Sequence, residues 1–188
     1  MFMLLKSKDI AYVSVMTAIS VLILVISGYI ESSTLFFLAA AAFLTGVVED
    51  RLGVIPAVFH VLCTVIIGLI MSPQKLYCIT YTCFGVYVIV AEYIEEYRKK
   101  GKNGWLLRLS WFIKCCVFEV MLFVIIAVYG QLAGISALFP EKLTHYQGSD
   151  TILMIVLILV AQAAWIVFDR AYVYFMKRYG RKLSTKGS

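Results

Sequence analysis

A chain of 188 residues that is 62% apolar, with a mean hydropathy of +0.92, does not have the composition of a water-soluble domain, for which about 45–50% apolar is usual. Its net charge of +6 would invite a nucleic-acid partner, but the basic residues flank apolar blocks. Orientation in a membrane explains them, and no nucleic acid is expected.

Six apolar segments follow in chain order, at about 10–29, 33–48, 53–71, 76–94, 106–129 and 151–175. A hydrocarbon core of about 30 Å takes roughly 20 residues of helix to cross. Backbone groups in lipid must be satisfied internally, so blocks of this kind are helices. The chain therefore predicts an all-α integral membrane protein of six transmembrane helices, a single domain with no separate soluble part.

The first segment follows Lys6 and Lys8 but is too long for a signal-peptide core, and Ile26-Ser27-Gly28 is a poor cleavage site. It is expected to stay as a span. Ser14 and Ala18, with Ala11 a turn earlier, form a small-residue face of the kind that lets helices approach closely. The short second segment holds Ala39 to Ala42, and Ala42 and Gly46 repeat the same spacing. In the third, His60 stands four residues after Pro56 and reads as a hydrogen-bonded packing residue. In the fourth, Tyr77, Tyr81, Gly85 and Val88 lie on one stripe, with Glu92 near its end.

The fifth segment carries the most informative pair, Lys114 and Glu119. A charge at membrane depth is costly and seldom sits there without a partner, a cavity or a task. Lys114 is roughly 12 Å inside the segment at about 1.5 Å per residue. It is within reach of Glu92, or of Asp169 near the end of the sixth segment, and a structural ion pair is expected. Glu119 lies five residues on, about 140° around the helix from Lys114. With Tyr77, Tyr81 and Gln162 it lines an expected outward-facing ligand pocket, where an ionised carboxylate suits an amine or a ring nitrogen. The structural alternative is a protonated Glu119 bonded to a neighbouring helix, with the tyrosines as interface anchors.

Fourteen of the 17 Lys and Arg residues fall on one side if the N-terminus is inside, against Lys75 and Lys142 outside. That bias predicts both termini in the cytoplasm. The connection 130–150 is the long outer loop, a lid or a connector, with an apolar piece at 132–139, then Pro140, His145 and Tyr146. The tail 181–188 reads as disordered and basic, near anionic lipid heads. The five cysteines sit inside apolar blocks without CxxC or Cys/His spacing and read as small buried apolar residues. HExxH, GxSxG and a Walker lysine are missing, so neither metal, cofactor nor catalysis is expected of this chain by itself.

The build resembles the S components of energy-coupling factor (ECF) transporters: six short spans, both ends inside, and a small-residue pair in the first span. More specifically, residues 39–97 resemble a group of uncharacterised, S-component-like membrane proteins of Gram-positive anaerobes. The resemblance runs through Ala41-Ala42-Phe43-Leu44, Glu49-Asp50-Arg51-Leu52-Gly53, Ser72-Pro73-Gln74-Lys75 and Tyr81-Thr82-Cys83-Phe84-Gly85-Val86-Tyr87, and continues to Lys114 and Phe118-Glu119.

That resemblance implies a cell-membrane subunit that captures a vitamin-like micronutrient from outside. A transmembrane T subunit and cytoplasmic ATPases would be its partners. It also assigns Ser14 and Ala18 to packing against the T subunit, although the family's pair is normally Ala-Ala. The stretch Phe43 to Asp50 is similar to the end of span two in the rod-shape protein MreD. That likeness implies a scaffold in a cell-envelope complex, with the polar residues as protein contacts.

Overall fold

The computed structural model describes the backbone of residues 7–30, 33–100, 104–133 and 150–180, with the side chains of 7–30, 33–97, 110–128 and 158–179. The expectations for the loop 134–149 and the tail 181–188 lie outside the described residues. Six helices make up the described chain: α1 (Ser7–Ser27), α2 (Thr34–Leu52), α3 (Val54–Met71), α4 (Lys75–Lys100), α5 (Gly104–Ala133) and α6 (Asp150–Phe175). A π-helical turn, Met176–Gly180, extends α6. Among the described residues there is no strand.

The connections explain themselves locally. The α2 helix runs straight through Glu49-Asp50-Arg51, a charged stretch that on sequence reads as a break. It stops at Gly53, whose φ of +92° lets the chain turn directly into α3, with the Gly53 N–H capping Glu49 O at 2.8 Å. Pro56 falls in the first turn of α3, where a missing N–H breaks no helical bond. At the other end of the bundle Gly28 lies against Pro73, so closely that a Cβ would sit 2.8 Å from the proline ring. The last turn of α1 is closed by Thr34, whose hydroxyl donates to the carbonyls of Ser27 and Ile30.

Among the described residues five helices are long and apolar enough to cross a membrane: α1, α3, α4, α5 and α6. This is the build of a multi-pass membrane protein. The α2 helix differs for a physical reason. Its last turn is charged, and its apolar part spans only about 22 Å at 1.5 Å per residue. Yet it is the most enclosed element, packed on α1, α3 and α4 and touched by α6, with Ala41, Ala42, Val47 and Val48 fully buried. A helix wrapped by others has little lipid to face.

The core accordingly lies among α1–α4, where Leu24, Leu38, Val61, Cys78, Tyr81 and Val88 close on one another. The outer pair is looser. A third to almost half of the spanning window is buried in α1, α3 and α4, but only 6% in α5 and 11% in α6. The α5 helix packs on α4. The α6 helix is held off by large rings: Phe168 stacks on Phe84 at 4.9 Å between centroids, and Phe43 meets Phe168, Tyr172 and Phe175 at 5.3–5.4 Å. Cys63 and Cys116 lie exposed on helix faces, so only Cys78 fits the expectation of a fully buried thiol.

Candidate functional site

Three polar groups interrupt this apolar bundle. The first joins α4, α5 and α6. Lys114 Nζ donates to Asp169 Oδ1 at 3.1 Å, and Tyr87 Oη donates to the same oxygen at 3.0 Å. Trp165 Nε1 in turn donates to Tyr87 Oη at 2.9 Å. A cation and an anion that neutralise each other, with further donors on the carboxylate, is the form in which charge survives burial.

Of the two expected partners of Lys114, Asp169 makes the ion pair. Glu92 instead accepts a bond from Tyr172 Oη at 2.8 Å, and it shares with Lys114 a cleft of about 80 Å³. Asp50, Glu95, Tyr172 and Lys177 complete the polar lining. Tyr172 reaches Glu92 only because residue 46 is glycine: a Cβ there would lie 2.3 Å from the Tyr172 hydroxyl.

The second group lies further along the seam between α5 and α6. Gln162 Nε2 donates to Glu119 Oε1. Between this pair and the Lys114–Asp169 pair, Phe118 stacks on Trp165 at 5.8 Å. Although Lys114 and Glu119 point about 140° apart around α5, both meet α6, because each is long enough to reach across the open seam. Glu119 is exposed and Gln162 half-buried.

The third group is inside α1–α4. The His60 ring is enclosed, with Nδ1 3.0 Å from Thr17 Oγ1 and Nε2 3.3 Å from Ser20 Oγ. Thr64 donates to the His60 carbonyl at 2.8 Å, and Ser20 Oγ lies 3.4 Å from Ala41 O.

Of the four residues expected to line one pocket, the fold brings two together, Glu119 and Gln162. Tyr77 is half-buried and packs against the core. Tyr81 is fully buried, and its phenol lies against the hydroxyls of Ser20, Thr45 and Thr64 in the third group. The stripe of Tyr81, Gly85 and Val88 exists, but it is turned toward α2 and α3: Gly85 packs on Val61. The cleft described above lies at the Arg51 end of the bundle, among Glu92, Lys114 and Tyr172, and Glu119 does not line it. Ser14 and Ala18 are exposed on α1, with the Ser14 hydroxyl returned to its own helix at Ile10 O.

Sequence reasoning missed Tyr87 and Tyr172, which donate to Asp169 and Glu92, and Trp165, which donates to the Tyr87 hydroxyl. A signal was present: Trp165, Asp169 and Tyr172 recur at helical spacing and so share one face of α6. Among the described residues no cluster of His, Cys, Asp and Glu could hold a metal ion. Comparison with protein-family models, with curated proteins and with solved structures gives no match.

Proposed function

We propose that the chain is the substrate-capturing membrane subunit of an ATP-driven micronutrient uptake transporter, built like an ECF S component. In this reading six helices cross the cell membrane, α2 as the enclosed sixth, with both termini in the cytoplasm. A T subunit and cytoplasmic ATPases supply the energy. The observation that carries the reading is the Glu119–Gln162 pair on the loosely packed seam of α5 and α6. A carboxylate beside an amide presents acceptors and donors to an amine, a ring N–H or an amide. The seam has little packing to lose when a ligand enters. The exposed Ser14–Ala18 face of α1 is available for close helix packing with a T subunit.

One observation favours a second reading, a scaffold of a cell-envelope complex. Glu119 is exposed on α5, so a polar residue from a partner's helix would satisfy it as well as a ligand would. Native mass spectrometry of the protein extracted in mild detergent separates the two. Uptake predicts a bound small molecule whose occupancy falls by about tenfold or more in Glu119→Gln, the loss of one charged hydrogen bond. The scaffold reading predicts envelope proteins and no small molecule. Unchanged occupancy in Glu119→Gln would remove Glu119 from the site.

A further inference from the structure

Three buried side-chain oxygens have no hydrogen-bond partner among the described residues: the Tyr81 phenol, Thr45 Oγ1 and Glu49 Oε2. They are not scattered. The Tyr81 phenol lies against Thr45, Thr64 and Ser20. Thr45 and Glu49 are four residues apart on α2, so they stand on one face with Cβ atoms roughly 5–6 Å apart. Glu49 in turn precedes Asp50, which lines the cleft at the Arg51 end together with Glu92, and it feels the charge of Glu92. Tyr81 and Thr45 thus adjoin the His60 group, and Glu49, one turn further along α2, lies at the end of the bundle where the cleft opens.

A buried polar group left without a partner costs about 1–3 kcal/mol, and nearly all such groups are satisfied by protein or by ordered water. One continuous explanation serves all three atoms. We propose that internal water entering from the cleft links Glu49 to Thr45 and Tyr81, making a proton path that continues through Ser20 to the His60 imidazole. Glu49 is the proton-binding group at its mouth, taking its proton from water in the cleft.

The chemistry of the line supports the assignment. Hydroxyls both donate and accept, and an imidazole does the same at its two nitrogens, so each group can take a proton from one neighbour as it gives one to the next. A proton delivered to His60 leaves an imidazolium there and a carboxylate at Glu49, which cleft water reprotonates. At the mouth, the charges that face Glu49 are mostly negative: Asp50 on its own helix, and Glu92 and Glu96 on α4. Tyr172 on α6 donates to Glu92. The cations nearby are already engaged or outside: Lys114 on α5 pairs with Asp169, Arg51 lies over the Tyr12 ring on α1, and Lys177 stands exposed on the cleft wall. Such a surround favours a carboxyl that holds its proton. Glu49 lies just past the apolar part of α2. Burial, with the neighbouring Glu92, Glu96 and Asp50, pushes its carboxyl up to about 9. The inference stands apart from the uptake reading and needs no ligand.

Infrared spectroscopy of the whole chain in lipid nanodiscs tests it first. At neutral pH the wild type should show a protonated-carboxyl C=O band that is missing in Glu49→Gln and shifts within the mixing time in D₂O buffer. Spectra that do not differ, or a band that stays unshifted for hours, would overturn the path. A second test uses Thr45→Cys in a chain whose native cysteines are replaced, with methyl methanethiosulfonate as the probe. It should be modified at least about tenfold faster than Val47→Cys, equally enclosed on the opposite face of α2. Adding Glu49→Leu should remove that advantage. Equal rates at positions 45 and 47 would overturn the proposal.

Discussion

The helices α1–α4 and the pair α5–α6 have similar compositions but treat their polar residues in opposite ways. Inside α1–α4 one set of polar side chains is enclosed: His60, Thr45, Thr64 and Ser20 are completely buried. In α5–α6 they span a seam wide enough for Lys114 and Glu119, from different sides of α5, both to meet α6. Apolarity therefore does not predict packing in this chain. A large side chain such as Trp165 or Phe168 keeps backbones apart, whereas Ala41, Ala42 and Gly46 let them close.

That contrast can be tested by substitution, with unfolding followed in mixed micelles. The largest effect is expected for Asp169→Ala, which strands Lys114 and removes the acceptor of Tyr87. Breaking such a pair costs about 3–5 kcal/mol. The double replacement Lys114→Leu with Asp169→Leu should recover most of that loss. Leu24→Ala, in the closed core, should cost about 2–5 kcal/mol. Gly46→Ala should cost about 1–3 kcal/mol by overpacking, because its methyl group displaces the Tyr172 ring and breaks the bond to Glu92.

A pH series addresses Glu49. Its folded value, about 9, lies above the usual 4.5. Through that window the folded state keeps a proton that the unfolded chain has lost, so stability falls as pH rises from about 4.5 to about 9. Glu49→Gln should flatten that slope and change little at the acid end. The smallest effect belongs to Phe123→Ala on the outer face of α5. Exposed substitutions away from special features stay within about 0.5 kcal/mol, and Phe123 is 74% exposed. A loss there as large as that of Leu24→Ala would mean that the seam is not open.

The helices were legible in the sequence because an apolar run between turn residues leaves the backbone one solution in lipid. Each of the six apolar segments overlaps one helix. The enclosed position of α2 was half-legible in Ala39 to Ala42 and in its charged last turn. The Lys114–Asp169 pair was one of two partners within reach, and helix depth alone does not choose between them. Tyr81 shows the limit most clearly. Helical spacing says that Tyr77, Tyr81, Gly85 and Val88 share a face, but which neighbour that face meets depends on how the helices assemble. The line of Thr45 and Glu49 was present at i and i+4 yet carried no meaning until Tyr81 was seen to close on it.

Double electron–electron resonance in nanodiscs tests the contrast most directly, with spin labels on exposed sites of a cysteine-replaced chain. One pair, Leu22 with Ile66, reports on α1 and α3. The other, Phe123 with Leu159, reports on α5 and α6. A narrow distance distribution for the first and a distinctly broader one for the second is the expected result. Equally narrow distributions would contradict the picture of a closed four-helix body carrying an open, polar seam.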